Sequence, residues 1–365
     1  MSEPLVTALI DTYNHERFIE EAIVSVLEQD FPAEDVEILV VDDGSTDGTP
    51  ELLRKFGTRV RVLRKTNGGQ ASAFNAGIPE ARGEIVAFLD ADDWWARNKL
   101  SRTIDYLTSH PEVGILGHGF EQVDSFTGQT TSTLPPESRA FSFSTLSDTT
   151  FFRHMMCFFG TSRVVIRKKI AEQALPIPES LVIEADEYLS IMSIARSRAV
   201  LLQDSLTYYR LHENNLYQLR SPDASKVRRL QGVFCALARE LPPALAQAGI
   251  SREAIEILVH PLEVGAKKIK LQIEGGSPWE TFQVERADRR YSYSGGSPAY
   301  RLFELFSLGL TLLMPPRKFY KLQNWYGTSG LRKLRGSLGE PVRKFEIEVA
   351  TQPTEAAQKR QLLPR

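Results

Sequence analysis

Short apolar runs alternate with helix-patterned segments through the first 116 residues, and three of those runs end in polar, acid-rich sequence. Leu5 to Thr12, Val36 to Val41, Val60 to Leu63 and Glu84 to Leu89 read as strands, and Val113 to Leu116 begins a fifth. Helices are predicted between them. The first follows Asn14 and carries Phe18, Ala22, Ile23, Val26 and Leu27 at helical spacing; others run from Thr49-Pro50 through Phe56, from Ala71 to Ala81 and from Lys99 to Ser109. This order implies an α/β fold with a parallel, doubly wound sheet flanked by helices. Such sheets bind ligands beyond the carboxyl ends of their strands. The strand ends Asp11-Thr12-Tyr13-Asn14, Asp42-Asp43-Gly44-Ser45 and Asp90-Ala91-Asp92-Asp93 are therefore the places to look for a site.

The last of these is the most informative. Three carboxylates in four residues repel one another unless solvent, a cation or another partner offsets the charge. A hard divalent cation held by one or two carboxylates completes its shell with water and substrate phosphates, so a phosphorylated ligand is expected. A solvated loop is the competing reading. Trp94 and Trp95 beside it suit either core packing or a wall for a sugar.

Asp42-Asp43-Gly44-Ser45-Thr46-Asp47-Gly48-Thr49 has the composition of an ordinary strand-to-helix turn. Its adjacent acids suggest more, since a carboxylate there could accept a base N–H or a ribose hydroxyl. Asn67-Gly68-Gly69-Gln70 lacks the spacing of a P-loop or dinucleotide fingerprint. It would let the backbone approach a phosphate or ribose at a helix N-terminus, with Asn75 facing the cleft. Glu184-Ala185-Asp186-Glu187 opens a helix expected from Asp186 to Arg196, where acids also serve the helix dipole. Tyr208-Tyr209-Arg210-Leu211-His212 places Arg210 and His212 on one strand face.

Taken in order, these pieces resemble the family 2 glycosyltransferases of the GT-A fold, over roughly the first 220 residues. The resemblance rests on Thr12-Tyr13-Asn14, Val41-Asp42-Asp43-Gly44-Ser45, Asn67 with Asn75-Ala76-Gly77, Asp90-Ala91-Asp92 and Arg210-Leu211-His212. It implies a Rossmann-like, mostly parallel sheet and a nucleotide-diphosphate-sugar donor, with a UDP-sugar favoured. Thr12, Tyr13, Asp42, Asp43, Asn67, Asn75, Asp90, Ala91, Arg210 and His212 would then form the donor site. In that site Tyr13 packs on the base, Asp43 accepts its ring N–H and Asp42 supports the loop. Asp92, at the last position of the Asp-x-Asp motif, and His212 would hold Mn2+ or Mg2+, with Asp90 near ribose or metal-bound water. Asp186 would be the general base of a hexosyltransferase that inverts C1. Members of the family often carry Glu-Asp where this chain has Ala185-Asp186, which leaves the presumed base and removes its acidic neighbour. Glu184 or Glu187 could compensate. That departure motivates an alternative, a catalytically impaired nucleotide-sugar-binding scaffold. A nucleotidyltransferase ranks last, because Asp11 to Arg17 offers no Gly-rich basic triphosphate loop.

Farther along, Thr127 to Ser147 reads as a loop excursion. Ser162 to Ile166, Val200 to Leu202 and Leu206 to Leu211 read as strands, and helices dominate from Ser221. The expected domains are a catalytic domain over 1–220, a helical region over 221–348 and a disordered tail over 349–365. Charged residues make up 25% of the 365, and the net charge of −2 gives no nucleic-acid signature. Two cysteines, Cys157 and Cys235, form no disulfide framework, and the start Met1-Ser2-Glu3-Pro4 lacks a leader pattern, so a cytoplasmic location is expected. Leu302 to Met314 is too short to span a bilayer. Followed by Arg317, Lys318, Lys321, Trp325 and Tyr326 and by Arg332, Lys333, Arg335, Arg343 and Lys344, it suits either an ordinary packed helix or a segment lying on anionic lipid over 302–344. The second reading would place the protein peripherally on the inner face of the membrane, with a glycan or lipid-linked acceptor in bacterial surface-polysaccharide or glycolipid assembly.

Overall fold

The computed structural model describes residues 3–213, 215, 224–292 and 298–328. The described residues fall into two compact units, one formed by residues up to 212 with 239–256, the other by 213–238 with residues from 257 onward.

In chain order the first 212 residues form β1 (Val6–Thr12), α1 (Ile19–Leu27), β2 (Val36–Asp42), α2 (Thr49–Lys55), β3 (Arg61–Arg64), α3 (Gln70–Glu80), β4 (Ile85–Asp90) and β5 (Trp94–Trp95). They continue with α4 (Lys99–Ser109), β6 (Val113–Asp124), β7 (Thr130–Thr133), β8 (Arg139–Phe141), α5 (Leu146–Met155), β9 (Val164–Arg167), α6 (Lys168–Gln173), α7 (Ala185–Ile194) and β10 (Arg198–Leu211). One sheet runs β3-β2-β1-β4-β9-β6-β10-β5, with β7 on β6 and β8 on β10. Val6, Ala8, Ile10, Val40, Ala87 and Leu89 on the sheet pack with Ile19, Ile23 and Val26 of α1 and Leu100, Ile104 and Leu107 of α4. Burying apolar sheet and helix faces against each other is the main term that holds such layers together.

The β3-β2-β1-β4 half is parallel, as strand–helix alternation requires. Beyond it the sheet is mixed rather than uniformly parallel. Although β6 pairs parallel with β10, β9 lies antiparallel between β4 and β6. Its Val164, Val165 and Ile166 are wholly buried, so this short strand fills the gap that β6 leaves beside β4.

Two expectations need correction here. Thr127 to Ser147 is not a loop throughout, since β7 and β8 form inside it and α5 begins at Leu146. Exposed Thr130, Thr131 and Ser132 carry no apolar alternation, and β7 is specified only by pairing with the edge of β6. Val200–Leu202 and Leu206–Leu211 are one strand, β10, broken by register shifts between Leu202 and Ser205 and between Ser205 and Tyr208.

The chain continues as helices α8 (Ala224–Gln247), α9 (Arg252–Ile273), α10 (Pro278–Ser292), α11 (Pro298–Leu313) and α12 (Pro316–Thr328). Leu271, Phe319 and Tyr320 form a small core there, joined by Val284, Leu310 and Met314. Among the described residues no helix is long and apolar enough to cross a membrane. The proposed tail over 349–365, and Arg332, Lys333, Arg335, Arg343 and Lys344, lie outside the described residues.

Candidate active site

Parallel register brings the strand ends together, with Asp11 beside both Val41 and Asp90 and Thr12 beside Asp42. The loops that follow β1 and β2 are stitched to each other. Asn14, in the left-handed region at φ 59°, donates its N–H to Ser45 Oγ (2.9 Å) and accepts the Thr46 N–H on Oδ1 (2.8 Å). Asn tolerates that conformation better than most residues. The His15 N–H donates to Thr49 Oγ1 (3.0 Å), and Thr12 Oγ1 lies 3.3 Å from His15 Nδ1. Tyr13, between them, is 45% exposed, so its ring is open to a ligand.

Asp42 supports this loop by accepting the Ser45 N–H at 2.8 Å. Asp43 is buried and heavily engaged: it accepts the N–H groups of Gly68 (3.0 Å) and Gly69 (2.7 Å) and pairs with Lys65 Nζ (2.7 Å). It therefore anchors the Gly68-Gly69 turn. Asn67 leads into the same turn, its backbone N only 2.8 Å from where a Cβ on Gly44 would sit; Gly44, at φ +83°, makes that approach tolerable. Asn75, expected to face the cleft, instead spends its side chain on Ile177, donating to its carbonyl and accepting its N–H, both at 2.8 Å.

Burial pushes the Asp11 carboxyl up to about 8 and Asp90 well above the usual carboxylate range, with neighbouring acids adding to both. Asp93 is pushed up to about 7 by burial and by Asp92. Asp92 goes the other way. Burial works against its ionised form, but the hydrogen bond from His212 and the charges of His15 and His212 outweigh it and hold the carboxyl below its ordinary value. His212 Nε2 lies 2.9 Å from Asp92 Oδ2, and the imidazole packs 4.7 Å from the Phe18 ring. Arg210 donates its backbone N–H to Asp93 (2.9 Å) and Nε to the Asp92 carbonyl (2.8 Å), while its guanidinium pairs with Glu21 and lies 4.4 Å over Trp94. Ala91 is wholly buried and contributes backbone to this turn.

Asp186 sits in the first turn of α7, and its Oδ2 accepts both the N–H (2.8 Å) and Oγ1 (3.0 Å) of Thr161. Gln70 at the start of α3 ties the pieces together: Nε2 donates to Thr161 Oγ1 (3.0 Å), and Oε1 accepts the Ala185 N–H (2.9 Å). Ser162 Oγ accepts the Asp90 N–H at 3.1 Å. Beneath them the fully buried Lys99 donates to the Ser162 carbonyl at 2.7 Å and lies 4.2 Å over Trp95. Ala185 is itself wholly buried and held through its backbone, so the loss of an acid there leaves Asp186 and its partners in place.

Thr161, Ser162, Lys99 and His15 were not singled out from the sequence. Thr161 follows Gly160 like an ordinary turn residue, and Ser162 reads as the start of a strand that in fact begins at Val164; only the packing of β9 against β4 reveals their roles. Among the described residues no three His, Cys, Asp or Glu side chains form a ready-made metal cage. Asp92 with His212 offers two donors.

A mixed sheet flanked by helices, with carboxylates and Gly-rich turns gathered at the carboxyl edge of its parallel half, defines the GT-A, Rossmann-like class. Within it, residues 7–173, a little under half of the chain, match the Glycosyl transferase family 2 model. An uncharacterized glycosyltransferase of Nostoc sp. is 34% identical over 217 residues, which is 58% of this chain and 66% of that relative, just under two thirds of its length. Two solved structures share the fold. S. aureus TarS in complex with UDP superposes with a TM-score of 0.56 at 18% identity, covering 87% of this chain and 90% of that one. The mannosyltransferase PcManGT from Pyrobaculum calidifontis, in complex with GDP-Man and Mn2+, gives a TM-score of 0.52 at 22% identity, covering 92% and 88%.

Proposed function

We propose that this chain is an inverting glycosyltransferase that moves a sugar from a nucleotide-diphosphate-sugar to a hydroxyl of a glycan or lipid-linked acceptor, in cell-surface glycan assembly. Residues 1–220 would be its catalytic domain and 221–348 its helical extension. The observation that carries the reading is Asp92 bonded to His212 at the carboxyl edge of the sheet, together with a second carboxylate, Asp186 at the start of α7, held by Thr161.

The donor's base would lie against Tyr13 and the Asp43-anchored turn, its ribose near Asp90 and its diphosphate toward Asp92, Arg210 and His212. One carboxylate and one imidazole suit a Mn2+ or Mg2+ ion whose other ligands are water and diphosphate oxygens. Such an ion would supply Lewis-acid stabilisation of the departing diphosphate. Arg210 adds a cation there by exchanging Glu21 for the diphosphate. On the opposite face of the sugar, Asp186 takes the proton of the acceptor hydroxyl as its oxygen bonds to C1 and the C1–O bond to the diphosphate breaks. One displacement inverts C1. The Thr161 hydrogen bonds orient the base, and Gln70 fixes Thr161 in turn.

A thermal-shift screen of UDP-, GDP- and dTDP-sugars with and without Mn2+ tests the reading. A metal-dependent rise in melting temperature with one donor supports it; no shift with any donor in the presence of Mn2+ opposes it.

A further inference from the structure

The exposed apolar side chains of α11 are not scattered. Leu302, Leu305, Phe306, Leu312 and Leu313 are 70%, 66%, 64%, 43% and 80% exposed, and with Gly309 they recur at the three- and four-residue steps of one helical stripe. This stripe carries no charge. The acid of α11, Glu304, is turned away from it and pairs with Arg289 of α10 at 2.5 Å. The opposite side of the hairpin is satisfied within its own unit, where Leu310 and Met314 pack on Phe319 and Tyr320 of α12. Outward from that core, α12 presents Lys318, Lys321, Leu322 and Trp325, again at helical spacing and all exposed.

We propose that the outward faces of α11 and α12 dock on an anionic lipid surface. A contiguous uncharged stripe of this kind is larger than single exposed leucines need explain. From Leu302 to Leu313 the helix rises about 16 Å, roughly half the thickness of a bilayer core, so it lies in the interface rather than crossing it. The exposed lysines of α12, Lys318 and Lys321, choose the occupant. They are drawn to anionic headgroups, and their stems can lie along the apolar boundary while the ammonium groups stay in water. A second copy of the chain docked through the same faces of α11 and α12 would bring like-charged lysines together, which disfavours self-association.

Flotation of the full chain with vesicles of phosphatidylcholine alone, or of phosphatidylcholine mixed with phosphatidylglycerol, tests this. Light scattering and far-UV circular dichroism report oligomeric state and folding. The protein should float with the mixed vesicles and bind the neutral ones about tenfold less or weaker still. Two surface variants, Leu305→Glu with Phe306→Glu and Lys318→Glu with Lys321→Glu, should each stay folded and lose at least about tenfold in binding to the mixed vesicles. The proposal is overturned if the protein stays unbound with anionic vesicles or if both folded variants bind as tightly as wild type. A dimer that the Leu305/Phe306 variant dissolves would overturn it as well.

Discussion

Thr161 gives Asp186 two hydrogen bonds to one oxygen, the backbone N–H at 2.8 Å and Oγ1 at 3.0 Å both reaching Oδ2. Only the hydroxyl can be removed without disturbing the backbone. Val in place of Thr161 keeps the shape of a wholly buried side chain and leaves Oδ2 with one bond instead of two, while the Glu187 N–H still donates to Oδ1 at 2.9 Å. A hydrogen bond to a charged group contributes about 1.5–3 kcal/mol, so Thr161→Val should lower turnover roughly tenfold or more while donor affinity stays near wild type. Steady-state kinetics with donor and acceptor varied separately would check it. A loss confined to donor KM would contradict the positioning role.

Glu187, next to the proposed base, predicts a pH dependence of stability. Burial pushes its carboxyl from the ordinary 4.5 to about 7, against the pull of Arg153 at 3.7 Å. Between those two values the folded protein holds a proton that the unfolded chain has released. This group's contribution is therefore full below about pH 4.5, falls as pH rises and is gone above about pH 7, a swing on the order of 3 kcal/mol. Glu187→Gln cannot release that proton. Its melting temperature should fall less between pH 5 and pH 7 than that of wild type, and parallel curves over this window would refute the assignment.

Asp43 should matter for the fold of its turn before it matters for any ligand. Asp43→Ala leaves the Gly68 and Gly69 N–H groups without their acceptor, at a cost of roughly 1–3 kcal/mol for each, and leaves Lys65 only the Thr66 carbonyl. Expected results are a melting temperature lower by several degrees and weaker binding of UDP and GDP. Lys65→Met, which keeps both glycine bonds, should show a smaller fall. Equal effects in the two variants would mean that the glycine anchors contribute nothing.

The parallel half of the sheet was legible because its signals are local. Apolar runs the length of a strand alternate with 3.6-period helices, and α4 spans Lys99 to Ser109 as the pattern predicts. What escaped depends on contacts distant in sequence. β9 is antiparallel because it fills a gap between two earlier strands, and β7 is a polar edge specified by its neighbour. The site divides in the same way. Asp92 and His212 stand in a recognisable order and meet at 2.9 Å, whereas Gln70, Thr161 and Lys99 become interpretable only once α3, α4 and the turn before β9 are packed together. Asn75 shows the converse, a residue with a binding-site look whose side chain is committed to Ile177.

Donor binding through Asp92 and a divalent cation is what the proposed reaction depends on. Calorimetric titration of UDP and of GDP, each with and without Mn2+, into wild type and Asp92→Asn distinguishes such a site from one that ignores the metal. One of the two nucleotides should bind wild type only when Mn2+ is present and bind the folded variant at least about tenfold more weakly. Equal affinity in the two proteins, or binding indifferent to the metal, would contradict it.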